Sequence, residues 1–101
     1  MAQDLRHFIG GKQVPGNSGR FGEVFNPSTG QAWARAPLAS KGEVEAAIAD
    51  AAAAFPTWAA ASPLARARVM FKFKALLEEH ADEIAGLISA EHGKVLADAK
   101  G

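Results

Sequence analysis

The sequence predicts an α/β chain, with strands and turns over residues 7–36 and three to four helices over residues 40–101, and two observations carry that reading. Before about residue 40, Gly and Pro punctuate short runs rich in β-branched and aromatic residues; after it, apolar residues recur at helical spacing. Residues 7–14 (HFIGGKQV) read as a strand with a turn or bulge at Gly10-Gly11. Residues 21–26 and 31–36 alternate loosely around Pro27-Ser28-Thr29-Gly30, where Pro sets φ and Gly admits positive φ, so they predict a hairpin.

Ser40 followed by Glu43 has the spacing of a capping box. Behind it Val44, Ala47, Ile48, Ala51 and Phe55 share one helix face. Pro56 is expected to end that helix, because proline removes a donor and disfavours helix before it. Ser62-Pro63 opens a second helix, with Ser as cap and Pro at the first position; its stripe is Val69, Met70, Phe73, Leu76 and Leu77. A break is expected near His80 to Asp82. Asp82 and Glu83 suit a new N-terminus, and Ile84, Leu87 and Ile88 give the third helix its apolar side. Gly93 is the expected terminating glycine, and a fourth helix starts soon afterwards.

Composition narrows the function. Eleven basic and eleven acidic residues give formal net charge zero, whereas nucleic-acid binders carry a basic excess that neutralises phosphate; no nucleic-acid partner is expected. No stretch approaches the roughly 20 apolar residues of a membrane span, and the N-terminus lacks the pattern of a secretory leader. The chain has no cysteine, which fits a reducing compartment, and a cytoplasmic location is the expectation. Apolar residues make up 49% of the chain. Alanine supplies much of that and buries little area, so the core is expected to rest on Val44, Ile48, Phe55, Trp58, Val69, Met70, Phe73, Leu76, Leu77, Ile84, Leu87 and Ile88.

Several residues invite a chemical role and are better read structurally. Gly16, Gly19 and Gly22 resemble a phosphate loop. However, they lack the close glycine pair of the dinucleotide fingerprint and lead into a strand, so a surface turn is expected. Arg66, Arg68, Lys72 and Lys74 form a basic run balanced by Glu78, Glu79, Asp82 and Glu83, which reads as a solvated face. His7, His80 and His92 have no partners at metal-ligand spacing. Ser28, Ser40, Ser62 and Ser89 lie outside any nucleophile elbow, and Trp33 and Trp58 read as core or interface. No catalytic, cofactor-binding or metal residue is assigned.

Three stretches together resemble the N-terminal portion of the aldehyde dehydrogenase superfamily: FNPSTG at 25–30, the helix opening Ser40-x-x-Glu43-Val44, and Phe55-Pro56-x-Trp58. Within that superfamily, residues 18–30, 66–80 and 89–101 are similar to the CoA-acylating methylmalonate-semialdehyde dehydrogenase branch. The run Arg68-Val69-Met70-Phe71-Lys72-Phe73-Lys74 is the most specific to that branch, and Glu91-x-Gly93-Lys94 is shared more widely. The resemblance spans nearly the whole chain and about the first fifth of the family's length.

The resemblance implies a fold in which these strands and helices flank a Rossmann-like, NAD-binding sheet supplied by the remainder of the dehydrogenase chain. It also implies a homo-oligomer. In such enzymes a Cys thiolate attacks the aldehyde, hydride passes to NAD, and CoA takes the acyl group from the resulting thioester. The Cys, its Glu base, the oxyanion-hole Asn and the main NAD contacts all lie further along the family's chain, so residues 1–101 alone are expected to be inactive and to bind neither NAD nor CoA. The rival expectations are a free-standing interaction or scaffold module derived from the same segment, and a nucleic-acid-binding helix pair.

Overall fold

The structure, a computed structural model, describes residues 3–101. Met1 and Ala2, which open the stretch read for a leader, lie outside them. Five strands precede four helices: β1 (Gln3–Asp4), β2 (His7–Ile9), β3 (Lys12–Val14), β4 (Phe21–Phe25), β5 (Ala32–Pro37), α1 (Lys41–Ala60), α2 (Pro63–Glu79), α3 (Ala81–His92) and α4 (Leu96–Ala99). They form two compact units. Residues through Phe25 together with Gln31–Ala59 make the first, and Asn26–Gly30 with Ala60–Gly101 make the second.

In the first unit β5 is the middle strand of a three-stranded sheet ordered β1-β5-β4. Its pairing with β4 is antiparallel, from Phe21 opposite Pro37 to Val24 opposite Ala34, and then shifts so that Phe25 meets Ala32. The shift leaves Trp33 as the extra residue of a β-bulge. On its other edge β5 takes β1 in parallel, with Gln3 opposite Ala34 and Asp4 opposite Arg35. Two residues at the chain's start give no periodicity to read, so β1 is absent from the sequence reading. The expected strand over 7–14 is a complete antiparallel hairpin, His7 opposite Val14 through Ile9 opposite Lys12. Gly10 and Gly11 form its turn with φ of 63° and 76°, the paired positive values that match the strands' right-handed twist.

The connection from β4 to β5 is built by Asn26. Its carbonyl accepts from the Gly30 N–H at 2.7 Å, and its side-chain oxygen accepts from the Ser28 N–H at 2.9 Å. The expected hairpin is thus present, and its turn belongs to the second unit.

Helix boundaries follow the capping residues except at one point. Ser62 accepts from the Ala65 N–H at 3.1 Å and Pro63 occupies the first position of α2. His80 ends α2 and starts α3, where the break was expected, and Gly93 closes α3 at φ 83° with its N–H on the Ser89 carbonyl. Pro56, in contrast, does not end α1, which runs through it to Ala60. Proline forfeits one donor and crowds the carbonyl four residues earlier. With one turn left to build and alanines on both sides, the loss is confined and alanine's helix preference carries the helix on.

The expected core is corrected more deeply. Among the described residues the fully buried apolar ones are Ala34 and Ala85, and no large side chain is fully buried. Phe55 is 66% exposed, Ile48 63% and Phe73 53%. The helices present their stripes as periodicity dictates, but each unit holds too few layers to cover them.

Candidate functional site

The most connected polar centre is the Glu43 carboxylate at the start of α1. The capping box is reciprocal, the Ser40 Oγ accepting from the Glu43 N–H at 3.2 Å while the Ser40 N–H donates to Glu43 Oε1 at 3.0 Å. The same Oε1 accepts from the Asn17 N–H at 3.2 Å, and the Ser40 hydroxyl donates to Asn17 Oδ1 at 3.0 Å. His7 Nε2 stands 3.7 Å from Glu43 Oε2. One carboxylate therefore ties the 15–20 loop to the helix start, with His7 of β2 beside it. The Ser40 N–H hydrogen bond, opposed by desolvation and helped by that of Asn17, holds its pKa below the usual carboxylate range.

Beside this centre β2 and α1 enclose an open cavity of about 400 Å³, lined by His7, Phe8, Ile9, Ala39, Glu43, Val44, Ala47, Ile48 and Ala51. The Glu43 carboxylate on its rim is committed to the cap, whereas His7 Nε2 is buried there without a hydrogen-bond partner, so the arrangement is an apolar groove with a short polar rim. In the second unit, Phe73, Leu76, Leu77 and Ile84 line a cavity of about 380 Å³ with His80 and Glu83 at its edge.

Two further ion pairs pin chain ends. Arg35 grips Asp4 with both arms, Nε to Oδ1 at 2.8 Å and Nη2 to Oδ2 at 2.9 Å, and lies 4.3 Å from the centroid of the Phe21 ring. Lys100 meets Asp82 at 2.7 Å. In each pair the side-chain hydrogen bond lowers the aspartate's pKa. Long-range pairs of this kind leave no trace in local spacing, and the sequence reading contains neither.

These lowered values set an expected pH dependence. Three carboxylates bind protons less readily folded than unfolded, so their contribution is complete above the usual carboxylate range and is lost as pH falls through the lowered values. Denaturation midpoints measured from pH 7 to 3 are expected to fall below about pH 4, with a shallower fall in Glu43→Gln. A flat profile would remove these carboxylates from the account.

The other residues singled out in the sequence are dispersed. Gly16 packs against Pro37, since a Cβ there would lie 2.8 Å from the proline Cβ; Gly19 takes φ 72° in the loop and Gly22 is inside β4. That run precedes a strand and offers no helix N-terminus to a phosphate, so these residues do not fit a dinucleotide cradle. Lys74 pairs with Glu78 one turn along α2. His80 Nδ1 lies 3.0 Å from Glu83 Oε2, and His92 sits in the last turn of α3. Among the described residues no three His, Cys, Asp or Glu side chains gather as a metal site. Ser40 and Ser62 are caps, Ser28 is in the Asn26 turn, and Ser89 is on α3, its carbonyl receiving the Gly93 N–H. Trp33 is at the sheet bulge, and Trp58 is 45% exposed. No helix among the described residues is long and apolar enough to cross a membrane.

Comparison with known proteins agrees with this picture of an element-bearing segment. The profile of the aldehyde dehydrogenase family matches residues 14–101. A malonate-semialdehyde dehydrogenase of Pseudomonas aeruginosa is 50% identical over 97 residues, covering 96% of this chain and 19% of that protein. The human mitochondrial acylating methylmalonate-semialdehyde/malonate-semialdehyde dehydrogenase is 46% identical, covering 96% of this chain and 18% of its own length. Among solved structures, a Sinorhizobium meliloti protein assigned as methylmalonate-semialdehyde dehydrogenase and complexed with NAD superposes with a TM-score of 0.96 at 48% identity. It covers 100% of this chain and 21% of that one. The chain therefore spans about a fifth of the length of the relatives it matches.

Proposed function

The chain belongs to the aldehyde dehydrogenase family, and from that premise we propose that it is the N-terminal segment of a CoA-acylating methylmalonate- or malonate-semialdehyde dehydrogenase. The whole enzyme oxidises the semialdehyde with NAD and CoA and releases propionyl-CoA or acetyl-CoA. Residues 1–101 carry no step of that reaction. Their work is to brace: the stripes of α1, α2 and α3 dock on the remainder of the dehydrogenase chain, which brings the nucleophile and the cofactor sites, and the full-length form assembles as a homo-oligomer.

The observation that carries this reading is an alignment over 96% of this chain with two semialdehyde dehydrogenases about five times its length. The exposed stripes agree with it. Val44 at 47%, Phe55 at 66% and Leu76 at 54% exposure are surfaces that a soluble monomer ordinarily covers. A cap network as complete as that of Glu43 also supports a bracing role, because it holds the first helix at a fixed angle without offering a free catalytic group.

The test is a segment exchange. The Pseudomonas aeruginosa relative, with its matching N-terminal residues replaced by this chain, is expected to reduce NAD in the presence of malonate semialdehyde and CoA. The 101-residue chain alone is expected to produce no NADH. A folded exchange protein without activity, or NADH formation by the short chain, would overturn the proposal.

A further inference from the structure

At about 100° per residue, Arg66, Val69, Met70, Phe73 and Leu77 fall at i, i+3, i+4, i+7 and i+11 on α2, so the apolar stripe of this helix carries an arginine near its start. The other basic residues of the helix lie beside or behind that face. Arg68, Lys72 and Lys74 are exposed, as a solvated run requires, whereas Arg66 is half-buried. Its Nε is buried without a hydrogen-bond partner, and no carboxylate pairs with it among the described residues. Nor does α2 supply one. The neighbours one turn away are Ser62, Pro63, Val69 and Met70, and the acids of the helix, Glu78 and Glu79, stand in its last turn.

We propose that Arg66 anchors this stripe to the remainder of its own dehydrogenase chain by pairing with a carboxylate side chain there. The inference rests on the reading of residues 1–101 as a docked segment and names the chemistry of the surface they dock on. The four apolar members of the stripe are exposed, so a surface that covers them also withdraws the guanidinium from water. Arginine keeps its charge, and a buried charge without a partner is strongly unfavourable. A carboxylate neutralises that charge, and its two oxygens match the guanidinium fork. A backbone carbonyl would leave the charge uncompensated. A cofactor phosphate is anionic, but the start of α2 has few amides for it, since Pro63 has no N–H and Ser62 takes that of Ala65. The large apolar side chains around Arg66 call for a packed protein surface instead.

Zero-length crosslinking reads the partner directly in the exchange protein, where this chain replaces the N-terminal residues of the Pseudomonas aeruginosa relative. In its Arg66→Lys variant a water-soluble carbodiimide is expected to join position 66 to an Asp or Glu beyond residue 101, seen as a linked peptide pair by mass spectrometry. Lys74 and Glu78, an ion pair one turn apart, give the internal control. Mixing isotopically labelled and unlabelled chains separates a link within one chain from a link between two copies. Arg66→Glu is expected to shorten the half-life of dehydrogenase activity on heating about tenfold or more, and Lys72→Glu to leave it within about twofold. A link confined to acids within residues 3–101, a link only between labelled and unlabelled chains, or no link beside a linked control would each overturn the pairing. So would an Arg66→Glu variant as durable as the parent. In those cases the exchange protein still forms NADH; an exchange protein with Arg66 intact and no NADH overturns the dehydrogenase reading itself, and the pairing falls with it.

Discussion

Ala34→Leu is expected to destabilise the first unit by about 2–3 kcal/mol, because three added carbons have no space to enter. Ala34 is 0% exposed and sits on the middle strand, opposite Gln3 on one side and Val24 on the other. A larger side chain there must push β1 or β4 away from β5, and the Arg35–Asp4 pair next to it holds β1 in register. Chemical denaturation followed by circular dichroism reads the effect. Ala32→Leu, at the exposed hairpin end of the same strand, is the control and is expected to stay within about 0.5 kcal/mol of the parent. Equal midpoints for the two variants would mean that position 34 is not the packed centre of the sheet.

Two glycines make the second large contrast, because the same substitution is expected to act in opposite directions. At Gly16 a methyl group would lie 2.8 Å from Pro37 Cβ and 3.3 Å from His7 Nε2. Both neighbours are held, Pro37 at the end of β5 and His7 in the hairpin, so Gly16→Ala is expected to cost about 1–2 kcal/mol through overpacking. Gly42 lies in the first turn of α1 with nothing within 4 Å of its virtual Cβ. Gly42→Ala is expected to add about 0.5–1 kcal/mol by lowering the entropy of the unfolded chain and favouring helix. Denaturant midpoints of the two variants that moved in the same direction would show that the Gly16–Pro37 approach does not govern that site.

The elements that the sequence disclosed are those whose cause is local. Ser40 with Glu43, Ser62 with Pro63, and Gly93 each act within one helical turn, and each lies where that reading puts it. The hairpin around Asn26–Gly30 is legible for the same reason. Pro56 was legible as a helix breaker only in isolation; its effect depends on how much helix remains beyond it. The Gly16, Gly19 and Gly22 run shows the limit in another form: spacing suggests a loop, but only the fold reveals that Gly16 is small because Pro37 is close.

The sequence by itself determined which segments become strands and helices, where most of them begin and end, and which superfamily they resemble, since capping, turn chemistry and short motifs are written in adjacent residues. The tertiary structure alone decided that β1 joins β5, that Arg35 holds Asp4, and that Glu43 binds both Asn17 and its own cap. It also decided that residues 3–101 by themselves leave Phe55, Phe73 and most of the other long apolar side chains exposed. Periodicity states which side of a helix is apolar; whether anything covers that side depends on the number of layers placed against it, and that is a property of the whole fold.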